Sequence, residues 1–186
     1  MRAWRSPSLP APKPANGRLA RRYKDRVTGS FTIPGREGSY APIPDDVPEA
    51  LRAALKARGI EQLYSHQAEA WEASQRGEHV AIVTPTASGK SLCYTLPVVS
   101  AAMQGNAKAL YLFPTKALAQ DQVAELLELN RAGDLGVKAF TFDGDTPGDA
   151  RQAIRLHGDI VVSNPDMLHQ AILPHHTKWA QFFENL

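Results

Sequence analysis

After Val80 the sequence alternates short apolar segments with segments of helical pattern, and this alternation constrains the fold more than any other feature. The predicted strands are 80–83, 109–113, 137–142 and 159–163, and the predicted helices are 90–103, 115–130, 149–156 and 165–172. Strands that are apolar along their length and separated by helices are typical of a parallel sheet whose two faces are both covered. The sequence therefore predicts an α/β fold built on such a sheet.

The residues before Val80 predict two more helices and a tail. The first helix begins at Pro48 and stops at Gly59, and the second is capped by Ser65 and closed by Gly77. Residues 1–47 are rich in proline and show no sustained periodicity, so we expect an extended or disordered lead-in there. The predicted domain therefore covers residues 48–186.

The segment between the first predicted strand and its helix has the composition of a phosphate-binding loop. It reads Thr84, Pro85, Thr86, Ala87, Ser88, Gly89, Lys90 and Ser91. In such a loop the backbone N–H groups and the positive end of the following helix bind phosphates. Lys90 would reach the β- and γ-phosphates, and the hydroxyl of Ser91 would ligate Mg²⁺. The simpler alternative is an ordinary strand-to-helix turn with an exposed lysine.

Two positions of this loop depart from its common form. Glycine usually stands six positions before the lysine and often three positions before it, and here those places hold Thr84 and Ala87. The position of the loop between a strand signal and a helix signal still favours a nucleotide site, because this context is what the motif requires.

Charge and composition limit the classes of protein to which this chain can belong. The net charge is +2, and residues 1–30 hold eight Lys or Arg against a single acidic residue. Such a tail can contact a nucleic acid backbone, although a solvated basic terminus is the commoner case. No apolar run has the length of a membrane span and no signal-peptide pattern is present, so we expect a soluble, cytoplasmic protein. The single cysteine, Cys93, excludes an intrachain disulfide.

Polar segments follow each predicted strand. They are the phosphate loop and the segments 114–116, 143–147 and 164–166. Because the carboxyl ends of parallel strands meet at one edge of the sheet and gather ligands there, we expect these segments to share that edge.

Five motifs together resemble a known family. They are Tyr64-Ser65-His66-Gln67, the loop 84–91, Phe113-Pro114-Thr115-Lys116-Ala117-Leu118, Asp143-Gly144-Asp145-Thr146-Pro147 and Ser163-Asn164-Pro165-Asp166-Met167-Leu168-His169. Their order and spacing resemble the first motor domain of superfamily 2 DEAD/DEAH-box helicases, which is RecA-like. The last three are most similar to those of bacterial DNA helicases of the mitomycin-repair type. The resemblance covers roughly residues 49–186.

The resemblance implies roles for particular residues. Gln67 would read the adenine edge of ATP through its amide, and Tyr64 would pack on the base, although both also suit an ordinary helix start. ATP and Mg²⁺ are the implied cofactors, and DNA is the implied partner. The residues implied to contact a nucleic acid are Pro114, Thr115, Lys116, Gly144, Thr146, Asn164 and Pro165. Such contacts to phosphates would not read the base sequence.

The sequence departs from the family in one respect. The family hydrolyses ATP with an Asp-Glu pair at the end of a further strand, and this sequence contains no such pair. The resemblance therefore implies an incomplete first motor domain, with the rest of the helicase, including its second motor domain, expected beyond Leu186. Alone, such a piece would bind nucleotide weakly and hydrolyse it poorly.

Two other functions stay open at this point. A small phosphotransferase would need Asp143 or Asp145 as its Mg²⁺ ligand, and we see no arginine-bearing lid in the sequence. A non-catalytic nucleic-acid-binding module would use the basic tail and keep the loop as a relic. The histidines lack metal-ligand spacing, so Mg²⁺ with the nucleotide is the only metal expected.

Overall fold

The helices and strands largely follow the predicted alternation. A computed structural model of the chain describes residues 38–105 and 107–186, of which Ser39–Leu186 form one unit. The elements are β1 (Tyr40–Pro42), α1 (Glu49–Ala57), β2 (Gln62–Tyr64), α2 (Ser65–Gln75), α3 (Lys90–Met103), β3 (Ala109–Leu112), α4 (Lys116–Gly133), β4 (Ala139–Thr141), α5 (Gly148–His157), β5 (Ile160–Ser163) and α6 (Pro165–Met167). After α6 come a π-helical turn (Leu168–Ile172), a 3₁₀ segment (Leu173–Trp179) and α7 (Ala180–Phe183).

Three of these strands form a parallel sheet in the order β3–β5–β4. Ile160 lies opposite Ala109 on one side and Ala139 on the other, and Ser163 lies opposite Leu112. The last strand in the chain is therefore the central one. This register brings the carboxyl ends of the three strands to one edge, which confirms that the segments following them share that edge.

The central strand is buried on both faces. Ile160 and Val162 pack in the cluster that α1, α2, α3 and α4 contribute to. Val161, which points the other way, packs with Trp179 and Phe182 in a second cluster. Successive strand residues point to opposite faces, so both faces of the sheet are covered by helical segments. The predicted α/β fold with a covered parallel sheet is confirmed.

The predicted strand 80–83 is wrong. In the described part of the chain this segment pairs with no strand, and the side chains of Val80 and Val83 are 46% and 95% exposed. A strand is held by hydrogen bonds to a neighbour, and an apolar run in the sequence cannot supply that neighbour. The phosphate loop is therefore positioned by the helix after it and by contacts with α2.

Ordered structure begins earlier than the sequence predicts. Residues Tyr40–Pro42 pair antiparallel with Gln62–Tyr64, and Val47 is fully buried. The predicted lead-in is thus described only in its last part, because residues 1–37 lie outside the described residues. No helix within the described residues is both long enough and apolar enough to cross a membrane.

Helix starts agree with the prediction in some cases and differ in others. α1 begins at Glu49 with Pro48 as its N-cap, and α5 begins at Gly148, each one residue from the predicted start. α3 has the predicted bounds of 90 and 103, and Thr115 caps α4 as part of the predicted helix 115–130. The second helix, however, is capped by Tyr64 instead of Ser65. The backbone N–H of Tyr64 donates to Oε1 of Gln67 at 2.9 Å, so a side chain three residues later completes the helix start.

We predict that Trp179→Ala destabilises the fold by about 3–5 kcal/mol. The indole is 1% exposed and makes edge-on contacts with Phe142 and Phe182 at 5.0 and 5.5 Å between ring centroids, so its removal leaves a cavity. Urea denaturation followed by far-UV circular dichroism measures the effect. Leu173→Ala, at an exposed position of the same segment, should change the free energy of unfolding by less than about 0.5 kcal/mol. Equal effects would contradict the assigned packing.

Candidate functional site

The phosphate loop ends where α3 begins, and Gly89 makes the transition. Its φ is 74°, in the left-handed region that L side chains rarely adopt. The N–H groups of Gly89, Lys90 and Ser91 donate to no acceptor in the described part of the chain. They stand at the start of a 14-residue helix, whose dipole places about half a positive charge there. The loop therefore offers an anion three donors at a positive helix end.

The ammonium group of Lys90 folds back over the loop. Its Nζ donates to the carbonyl oxygens of Thr84 and Pro85 at 2.8 and 2.7 Å. Among the described residues no carboxylate forms an ion pair with it. Within the described residues, the hydrogen-bond partners of Lys90 are therefore neutral carbonyls, and no carboxylate there competes with an anion for it. The site therefore fits a phosphate group, as the sequence predicts.

The two departures from the common loop pattern have structural consequences. Ala87 takes a φ of 60°, a conformation that costs an L residue roughly 1–2 kcal/mol, so the glycine preference at this place is a backbone requirement. The hydroxyl of Thr84 hydrogen-bonds that of Ser88 at 2.6 Å and closes the loop. The loop is thus closed without glycine at either place.

Gln67 is attached directly to the phosphate loop. Its Nε2 donates to the carbonyl of Gly89 at 2.8 Å, while its Oε1 accepts from Tyr64. The side chain is 5% exposed. A Cβ at position 89 would lie only 2.7 Å from Gln67 Nε2, so glycine is required for this approach. The structure therefore brings together Gln67 and the loop, which are 22 residues apart in sequence.

A cleft of about 770 Å³ opens beside this junction. The cleft is lined by Gly89, Ser91, Gln67 and Tyr64. Tyr40, which the sequence reasoning missed, lines it as well. Tyr40 lies opposite Tyr64 in the β1–β2 pair, and their rings stack at 5.0 Å with an angle of 26° between planes. No local signal marks Tyr40, because it becomes part of the site only through the pairing of β1 with β2.

At the carboxyl edge of the sheet, Lys116 is paired instead of free. Its Nζ bonds the carboxylate of Asp145 and lies 3.6 Å from Oδ2 of Asp143. The hydrogen bond that Lys116 donates to Asp145 raises the pKa of Lys116, and the same bond lowers the pKa of Asp145. A phosphate at this edge would compete with these carboxylates for the lysine.

Two of the predicted contact residues act as helix caps. Oγ1 of Thr115 accepts from the N–H of Leu118 at 3.3 Å, and Oδ1 of Asn164 accepts from the N–H of Met167 at 2.8 Å. Pro165 occupies the first turn of α6, where its missing N–H costs nothing. Pro114 is exposed directly before the Thr115 cap. These residues shape the edge, whatever else they contact.

The loop 143–147 is held by Arg151, a residue that the sequence reasoning missed. Its guanidinium donates to the carbonyls of Thr146, Asp143 and Gly144 at 2.9, 3.1 and 3.4 Å and lies 5.3 Å from the centre of the Phe142 ring. The hydroxyl of Thr146 accepts from the N–H of Asp143. An arginine one turn into a helix is common on any surface, so the sequence contains no specific signal for this role.

The described residues contain no group of three or more His, Cys, Asp or Glu that could hold a metal ion. Ser91 is the predicted Mg²⁺ ligand, and it lines the cleft next to Gly89.

Comparisons with known proteins identify the family. The DEAD/DEAH box helicase family matches residues 64–186. The chain belongs to this family. The match begins at Tyr64 and contains all five motifs on which the sequence resemblance was based, so that resemblance is confirmed.

Individual helicases of the family are similar to this chain. It is 52% identical over 163 residues to the uncharacterized ATP-dependent helicase YprA of Bacillus subtilis, covering 87% of this chain and 22% of that protein. It is 42% identical over 159 residues to the ATP-dependent helicase hrq1 of Schizosaccharomyces pombe, covering 83% of this chain and 15% of that protein. The chain therefore spans between about one seventh and one quarter of the length of these relatives.

A solved helicase structure is similar as well. The crystal structure of the DUF1998 helicase MrfA bound to DNA and AMPPNP matches with a TM-score of 0.80 and 54% sequence identity, covering 83% of this chain and 22% of that chain. This likeness confirms the helicase-type, RecA-like α/β fold.

We predict that Gly89→Ala lowers the affinity for ATP by about tenfold or more, because the new Cβ displaces Gln67 from the loop. Gly77→Ala is the matched control. Gly77 also has a positive φ, of 70°, but its Cβ would meet nothing within 4 Å. Both variants should lose roughly 1–2 kcal/mol of stability from the backbone alone. Titration with a fluorescent ATP analogue checks the difference, and similar affinities in the two variants would contradict it.

Proposed function

We propose that this chain is the nucleotide-binding part of an ATP-dependent DNA helicase motor that acts in DNA repair in the cytoplasm. The observation that carries the proposal is the hydrogen bond from Gln67 to Gly89, which joins the predicted base-reading residue to the phosphate loop beside an open cleft. The similarity to proteins named ATP-dependent helicases supports the same function.

The residues present fit a bound nucleoside triphosphate. The N–H groups of Gly89, Lys90 and Ser91 would hold phosphate oxygens, and Lys90 would exchange the carbonyls of Thr84 and Pro85 for them. The hydroxyl of Ser91 would ligate Mg²⁺, whose chemistry is to neutralise charge on the phosphates. Gln67 keeps one N–H and one oxygen lone pair free, so its amide can still read an adenine edge.

The carboxyl edge of the sheet supplies the proposed nucleic-acid contacts. The segments around Thr115, Thr146 and Asn164 follow three neighbouring parallel strands, and a backbone of regularly spaced phosphates would meet them in turn. Arg151 binds carbonyl oxygens of the segment 143–147, which follows β4, and this fixes the shape of that loop. We propose single-stranded or partly duplex DNA as the ligand, because DNA is present in the MrfA structure.

We propose that hydrolysis and movement require more protein than this chain. The relatives are about four to seven times longer than the matched region, and the residues here include no Asp-Glu pair to hold Mg²⁺ and orient water. A second motor domain would close on the nucleotide and complete the site. This chain alone should therefore bind ATP and turn it over poorly.

The phosphotransferase alternative is not favoured by the site geometry. It requires Asp143 or Asp145 as a metal ligand, but Asp145 pairs with Lys116, and Oδ1 of Asp143 accepts from the N–H of Asp145 and the hydroxyl of Thr146. Both carboxylates are thus engaged within the carboxyl edge. The non-catalytic alternative leaves the ordered junction of Gln67 with the loop without a role.

We predict that Lys90→Ala lowers ATP affinity by about 10- to 100-fold, because charge-assisted hydrogen bonds to the phosphates are lost. Binding of single-stranded DNA without nucleotide should not change. Isothermal titration calorimetry with ATP and with an oligonucleotide measures both. Lys138→Ala removes the same charge at an exposed position just before β4, and it should bind ATP like the wild type. Undiminished ATP binding by Lys90→Ala would eliminate the phosphate-loop assignment.

We predict that Asp145→Asn strengthens binding of single-stranded DNA, because Lys116 loses the nearer of its two carboxylate partners and becomes more available to a phosphate. One additional phosphate contact should steepen the log–log dependence of affinity on salt by about 0.7. Fluorescence anisotropy across a salt series measures the slope. Asp149→Asn removes an equal charge in the first turn of α5 and should leave the slope unchanged. The same slope in both variants would show that Lys116 does not reach the strand.

A further inference from the structure

A partly buried chain of polar side chains joins the helix of the phosphate loop to the helix of the first contact segment. Tyr94 lies one turn after Lys90 on α3, and its hydroxyl donates to Oε1 of Gln122 on α4 at 2.8 Å. Nε2 of Gln122 then points to Oε2 of Glu125 at 3.4 Å. Glu125 lines the nucleotide cleft, and α4 begins at Lys116, so one helix connects the cleft to the carboxyl edge.

The ring of Tyr94 makes a second connection to the same segment. It meets the ring of Tyr111 edge-on, with centroids 5.2 Å apart and an angle of 86°. Tyr111 in turn meets Phe113 at 6.4 Å, and Phe113 directly precedes Pro114. Tyr94 therefore contacts both elements that flank the segment 114–116, which are β3 before it and α4 after it.

Burial around these contacts favours a single relative position of α3 and α4. Gln122 is 5% exposed and Tyr111 is buried. Burial raises the pKa of Tyr94 to about 12, so its hydroxyl stays protonated and remains a donor at neutral pH. If α3 moved without α4, the Gln122 oxygen would lose its donor away from water, which is unfavourable. The two helices should therefore shift together.

We propose that Tyr94 is a positioning residue that couples the nucleotide site to the strand-contact segment 114–116. The inference rests on the proposed function of both sites. When Lys90 releases the carbonyls of Thr84 and Pro85 to bind phosphates, the first turn of α3 adjusts, and Tyr94 transmits this shift to Gln122 and Tyr111. Such coupling is reciprocal, so a bound strand changes the affinity for nucleotide by the same factor.

The experiment measures the affinity of the full chain for a fluorescent single-stranded oligonucleotide with and without a non-hydrolysable ATP analogue. The affinity of the wild type for the oligonucleotide should differ by at least about fivefold between the two conditions. Tyr94→Phe removes the hydroxyl and keeps the ring, and it should reduce the ratio of the two affinities to below about twofold. Its affinity for each ligand alone should remain that of the wild type, which a general loss of structure would not allow.

Two further variants separate coupling from loss of a buried hydroxyl. Tyr111→Phe removes a hydroxyl whose contact with the carbonyl of Tyr94 is long, at 3.5 Å, and it should keep the wild-type ratio. Gln122→Met removes the acceptor and should reduce the affinity ratio as much as Tyr94→Phe does. The double variant should reduce that ratio no further than either single variant. Thermal melts confirm that each variant is folded at the temperature of measurement.

The possible results distinguish failure of the coupling role from failure of the proposed function. A wild-type ratio in Tyr94→Phe, or an equal loss in Tyr111→Phe, would overturn the coupling role. A wild type that binds both ligands without any coupling would overturn this inference and leave the proposed function standing. A wild type that binds neither ligand would overturn the proposed function and the inference with it.

Discussion

The parallel pairing of Ile160–Ser163 between two strands that precede it in the chain is the constraint on which the rest of the structure depends. Every residue of this strand is buried, so both faces of the sheet have to be covered by apolar side chains. α1 to α4 cover one face, and the segment around Trp179 covers the other. The same pairing aligns the strand ends, which places three separate polar segments at a single edge.

The candidate nucleotide site depends on a close approach between two helices. α2 provides Gln67 and α3 provides the phosphate loop, and they meet at the carbonyl of Gly89. This approach is possible because Gly89 has no Cβ and takes a positive φ. Gln67 and the loop 84–91 are thus held in a fixed relation, which would reduce the entropy cost of binding a nucleotide there.

Charge at the carboxyl edge is balanced within the protein. Lys116 and the carboxylates of Asp143 and Asp145 come from segments that follow β3 and β4, and β5 lies between those strands. A phosphate that bound at this edge would meet a lysine that already has partners, so its binding would be an exchange. Since Lys116 and Asp145 are exposed, salt screens their pair, and the balance should depend on ionic strength.

Much of the fold could be predicted because its signals are local. The bounds of α3, the Thr115 cap and the alternation of strands with helices depend on residues within a few positions of each other. The family motifs identified the phosphate loop and Gln67 in the same way. The order β3–β5–β4 was beyond such reasoning, since nothing in an apolar segment specifies its neighbours.

The wrong and missed predictions have a common cause, which is that they depend on residues distant in the sequence. Segment 80–83 has a strand-like composition, yet a strand exists only when a neighbour accepts its hydrogen bonds. Tyr40 joins the cleft only because β1 pairs with β2, and Arg151 and Tyr94 acquire roles only from the segments they meet. The sequence by itself determined most of the helices and strands, the bounds of α3 and the family, because these depend on local residue patterns. The tertiary structure alone decided which distant side chains meet, because that depends on packing across the whole chain.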